Sequence, residues 1–130
     1  MKDIKFKAWD KISNTMCDVV EIHQSWIAIP FMDEDGGHLE QRQLKDVELI
    51  QYTGWKDKNG VEIYGKDILK WHGAIGYEDG TASVLWNQER GAWYMENDKD
   101  DVYDYLDNVY EWSEVIGNIH DNPELMEGKQ

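Results

Sequence analysis

Ile4, Phe6 and Ala8 alternate with Lys5 and Lys7 near the start of the chain, the period of a strand with one apolar and one polar face. Turn formers follow in "DKISNTM", and "CDVVEI" opens a second strand-like run. "SWIAIPFM" reads as a third, in which Pro30 favours a sheet edge or a bend. "DEDGGH" reads as a loop, after which "VELIQYT" resumes the strand pattern. In "KDKNG" the Asn59-Gly60 pair predicts a tight turn, because both residues tolerate positive φ. Val61 and Ile63 then alternate with Glu62, Gly65 marks a bulge or sharp bend, and Ile68, Leu69 and Trp71 head for a core.

The later half repeats the theme. "GAIGYEDG" is a glycine-punctuated loop, and "TASVLWN" and "GAWYME" are strand candidates separated by an Asn87–Gly91 turn. Residues 98–112 are ambiguous: Val102, Tyr105, Leu106, Val109 and Tyr110 fall at helical spacing, but aspartates and β-branched residues oppose a helix. "SEVIGNIH" reads as the last strand, and "NPELMEG" as one helical turn between Pro123 and Gly128. The pattern predicts a mainly β fold (β-rich α+β): a small SH3-like barrel with additional N-terminal strands and short helical turns. A single domain is expected at 130 residues, divided into an N-terminal β part (about 1–50) and a barrel-like part (about 51–125).

The order of three motifs carries a resemblance. "IKFKAWDKISNTM", "LIQYTGWKDKNGVEIYGKDILKW" and "EVIGNIHDNPELM" together resemble the YopX protein family over nearly the whole chain. The resemblance implies a bacteriophage or prophage origin, a β-rich fold containing a small barrel, and self-association. It brings no established activity and no catalytic residues. One departure is visible: Gly65-Lys66 precedes Asp67-Ile68 where the family pattern has an acidic residue and a glycine.

Charge narrows the function classes. The formal net charge is −14. Residues 1–65 carry 8 basic and 12 acidic groups (−4), and residues 66–130 carry 5 and 15 (−10). Nucleic acid and anionic membranes are bound through lysine and arginine displacing counterions, so neither is an expected direct partner. The lone Cys17 excludes an internal disulfide, no apolar run approaches membrane-spanning length, and the N-terminus lacks the apolar core of a signal peptide. A cytoplasmic location in a bacterial host is the expectation.

Motifs for chemistry are sparse. Counted from Asp33, Gly37 falls at the fifth position of a calcium loop, His38 at the glycine position and Leu44 at the terminal glutamate position, so the template fails. His23, His38, His72 and His120 lack paired ligand spacing, and no phosphate loop or nucleophile elbow occurs. No cofactor, metal site or catalytic residue is expected, and a small hydrolase or metal-dependent enzyme is the least favoured class.

Aromatic residues and acids supply the candidate surfaces. Seven tryptophans and seven tyrosines accompany two phenylalanines, and Trp and Tyr suit half-buried positions. Trp9, Trp71 and Trp86 are expected in the core. Trp26, Trp55, Trp93 and Tyr94 are candidate interface anchors. Glu96, Asp98, Asp100, Asp101, Asp104, Asp107, Glu111 and Glu114 form an acidic run whose usual meaning is a solvated face. Its sharper reading is a DNA-like surface for a basic host protein. The favoured expectation is a non-enzymatic module that self-associates into a homo-oligomer through aromatic-rich strand edges.

Overall fold

The computed structural model describes residues 5–73, 79–97 and 102–126. Ile4, the middle of the "GAIGYEDG" loop, Asp98, Asp100, Asp101 and Gly128 lie outside the described residues. The chain is mainly β and forms two compact units, Lys5–Gln51 and Tyr52–Gln130. Among the described residues, no helix is long and apolar enough to cross a membrane.

In the first unit, β1 (Phe6–Asp10) pairs antiparallel with β2 (Thr15–Asp18) on one side and with Val47–Gln51 on the other. Val47–Gln51 is the first half of β6 (Val47–Lys56). The "DKISNTM" turn is held by Asp10. Its carboxylate accepts from the Ile12 amide (3.1 Å) and the Ser13 hydroxyl (2.6 Å), while Asn14 takes a φ of 55°. A second sheet runs β3 (Glu21–Ile22), β4 (Trp26–Asp33), β5 (Gly36–Gln43). Ala8, Ile27, Ile29 and Val47 form the core of this unit, with Cys17, Val19, Phe31 and Leu44 packed against them. Pro30 lies beyond the last β4 residue that pairs with β3, where its missing N–H removes no bond to that strand.

Strand β5 corrects the sequence reading. "DEDGGH" is not a loop throughout: β4 and β5 join at a two-residue turn, Glu34-Asp35, with Gly36 at a φ of 110°. They then pair without interruption from Asp33↔Gly36 to Trp26↔Gln43.

In the second unit, Tyr52–Lys56 pairs with β7 (Glu62–Tyr64) across an irregular register. A five-stranded antiparallel sheet follows in the order β11 (Val102–Tyr105), β10 (Ala92–Asn97), β9 (Gly80–Asn87), β8 (Asp67–Trp71), β12 (Glu114–Asn118). It curls into a half-barrel. Its concave core contains Ile63, Leu69, Trp71, Ala82, Val84, Met95, Val102, Leu106 and Val109. Residues 102–112 resolve the ambiguous segment as strand β11, one helical turn α1 (Leu106–Val109) and a 3-10 turn, Tyr110–Trp112. A closing 3-10 turn spans Pro123–Met126.

The family-like motifs are engaged in building corners. In "KDKNG", Gly60 alone adopts positive φ (81°), and Asp57 organises the turn: Oδ1 accepts from the amides of Asn59 (2.8 Å) and Val61 (2.9 Å). The bend at Gly65-Lys66 places Lys66, not Gly65, in the left-handed region at φ 69°. The Lys66 amide donates to Val84 O, its carbonyl accepts from Ile119 N, and Asp67 Oδ2 accepts from Tyr64 N. In "EVIGNIHDNPELM", a Cβ on Gly117 would collide with the side chain of Asn122, which accepts from the Asn118 amide. Asn118 in turn accepts from the amides of His120 and Asp121.

Candidate functional site

A groove of about 380 Å³ opens in the second unit. It is lined by Thr53 and Trp55 from β6, Trp93 from β10 and Tyr105 at the end of β11. Tyr105 pairs in register with Tyr94, so its ring goes to the opposite face of the sheet from Trp93, where it meets Tyr103 edge to face at 6.0 Å. Gly91-Ala92 at the start of β10 and Asp107-Asn108 in α1 complete the rim. The aromatic rings are braced from behind. Trp55 stacks on Tyr110 with centroids 4.5 Å apart, and Trp93 meets Trp86 edge to face at 5.1 Å. The Thr53 hydroxyl donates to Ile63 O (2.7 Å) and accepts from Trp55 N (3.1 Å), fixing the backbone that carries Trp55.

Asp107 is exposed and makes no hydrogen bond or ion pair with the described residues. Asp104, by contrast, accepts from the Tyr105 amide (2.8 Å) and from Asn108 Nδ2 (3.1 Å), which ties it to the turn that carries Asp107. Burial, and then a hydrogen bond to Tyr103, raise the Tyr105 hydroxyl above its ordinary value.

The groove unites Trp55, Trp93 and Asp107 from the sequence candidates and leaves the others apart. Tyr94 follows Trp93 on β10 and therefore faces the other side of the sheet, where it packs on Tyr103 at 4.7 Å. Glu96 pairs with Tyr103 in register. Glu111 accepts from the Tyr110 hydroxyl (3.1 Å), and this bond is the first cause of the raised Tyr110 pKa. Glu114 lies on β12, opposite Lys70 and at the far edge of the sheet from β11. Trp71 is buried and Trp9 half-buried, whereas Trp86 is 46% exposed at the end of β9, a correction to its expected place in the core.

The first unit carries a different surface, which sequence reasoning missed. On β5, His38, Glu40 and Arg42 share one face, and all three are engaged. Arg42 Nε donates to Asp10 Oδ1 at 3.0 Å and its guanidinium lies 5.3 Å from the Phe31 ring centroid, with its side chain 12% exposed. Burial pushes the Asp10 carboxyl up, but hydrogen bonds from Ser13, Arg42 and Ile12 outweigh it and hold the group below its ordinary value. His38 sits between Glu40 (3.1 Å) and Asp33 (3.0 Å). Its pKa is raised, first by the Glu40 hydrogen bond, against an opposing desolvation, and then by the charge of Asp33.

The opposite face of the hairpin is uncharged. In register, it presents Ala28↔Gln41, Pro30↔Leu39 and Met32↔Gly37. Met32 is 81% exposed and Leu39 53%. Among the described strands, β5 pairs with β4 alone, so its second edge is open over eight residues. Trp26 closes the other end of the hairpin opposite Gln43, half-buried and stacked on His23 at 3.9 Å. The discoverable signal was the alternation of His38, Glu40 and Arg42, a strand period written in charge instead of hydrophobicity.

No curated protein matches the chain. Two solved structures are similar to it. Protein EF1440 from Enterococcus faecalis is 26% identical, with a TM-score of 0.67 over 98% of this chain and 100% of that one. Protein yopX from Bacillus subtilis is 20% identical, with a TM-score of 0.62 over 100% of both chains, a likeness of fold. The YopX protein family matches residues 5–127, nearly the whole length, and the chain belongs to that family.

Proposed function

We propose that this chain is a non-enzymatic interaction module, an accessory protein of phage or prophage origin, that self-associates through the β4–β5 hairpin. The observation that supports this reading is the open edge of β5 beside an uncharged face bearing Met32 and Leu39. Soluble proteins usually protect a long strand edge with lysine, proline or a bulge, because unpaired N–H and C=O groups template a further strand. On β5 the charges point to the other face and are consumed by Asp10, Asp33 and one another, so they do not protect this one. A second copy laid antiparallel along β5 pairs both edges and covers both apolar patches by one two-fold operation. Light scattering across a concentration series tests it: a mass above that of one chain at high micromolar concentration is expected, and a clean monomer there overturns the reading.

A further inference from the structure

We propose that the groove lined by Trp55 and Trp93 receives an arginine side chain from a basic peptide segment of a partner. The Trp55 and Trp93 indoles line the groove, and a planar guanidinium stacks favourably on an indole face. Asp107 stands at the rim without an ion pair among the described residues, and a carboxylate there can take the two parallel N–H donors of a guanidinium. Charge complementarity supports a cationic occupant, since the chain carries −14. Arg90 acts on the Tyr105 hydroxyl but does not line the groove. The site is set before binding, because Tyr110 and Trp86 brace the two indoles and Asp104 holds the side chain of Asn108, the neighbour of Asp107. The groove belongs to the second unit and the proposed self-association to the first, so either can fail alone.

The test titrates the full chain with the peptide acetyl-Gly-Ser-Arg-Ser-Gly-amide and with the same peptide carrying citrulline, which keeps the shape and removes the charge. The indole N–H resonances report on the walls, after assignment through Trp55→Phe and Trp93→Phe variants. We expect the arginine peptide to shift both signals, the citrulline peptide to leave them in place, and Asp107→Asn to weaken binding roughly fivefold, the loss of one charge-assisted contact. Glu21→Gln, in the other unit, should change nothing. Equal shifts from both peptides, no shift at these two indoles, or equal weakening by Glu21→Gln would overturn the proposal, the last by showing diffuse attraction to an acidic protein.

Discussion

Asp57 Oδ2 accepts a hydrogen bond from the amide of Val115 at 2.9 Å, across 58 residues of chain. The same carboxylate holds the Asn59 and Val61 amides through its other oxygen, and the Lys58 amide donates to Ser113 O alongside. One buried side chain therefore shapes a local turn and ties it to the last strand of the half-barrel.

Replacing Asp57 should be costly because it leaves three amides without their charged acceptor. Asp57→Ala is expected to lower stability by about 3 kcal/mol, a sum of buried unsatisfied donors, read from urea unfolding. Asp57→Asn should lie between it and the wild type, since an amide keeps one acceptor oxygen. A loss below about 1 kcal/mol for the alanine variant would show that water replaces the carboxylate.

Lys66 offers the opposite opportunity. Its φ of 69° is strained for a residue with a Cβ, and its backbone bonds to Val84 and Ile119 fix it there. Lys66→Gly should stabilise the protein by about 1 kcal/mol, visible as a rise in Tm. An unchanged or lower Tm would mean that the lysine side chain contributes more than the strain costs.

How much was legible in the sequence follows from how local each cause was. Trp71, Ile68 and Leu69 were readable as core because apolar spacing and the neighbouring turn agree. Strand β5 was not, since neither of its faces alternates apolar with polar and it is held by pairing with β4. Trp86 sits in an apolar strand run, yet only its place at the end of β9 decides that it is exposed. Residues 102–112 carried helical spacing because one helical turn does bury Leu106 and Val109, while Val102–Tyr105 pairs with β10. Trp55, Trp93 and Asp107 were each visible as surface candidates, but their meeting depends on β6, β10 and α1 converging. The second oxygen of Asp57 shows the same limit, since its partner is set by tertiary structure.

The buried Asp10–Arg42 pair should govern acid stability of the first unit. Removing one partner strands the other, so Arg42→Ala is expected to cost about 3 kcal/mol. Because the folded Asp10 pKa is lowered from 3.8, its contribution is complete above that value and is lost as pH falls through the lower folded pKa. Asp10→Asn should remove that part of the acid dependence; an unaltered acid unfolding profile would contradict the assignment.

His38 carries the reverse sign. Its folded pKa is raised above 6.5, so the stabilisation it gives the hairpin is complete below 6.5 and disappears as pH rises through the higher folded value. An NMR titration of its ring protons should give a midpoint above 6.5, and Glu40→Gln should bring it down. A wild-type midpoint at or below 6.5 would show that Glu40 and Asp33 do not hold the ring in solution.

Hydrogen exchange of the β5 amides, followed by mass spectrometry at low and at high micromolar protein, tests self-association and its location together. A second copy on the open edge predicts that exchange across Gly36–Gln43 slows as concentration rises, and that the Leu39→Lys variant abolishes the slowing. Exchange across β5 that is the same at both concentrations would contradict the account.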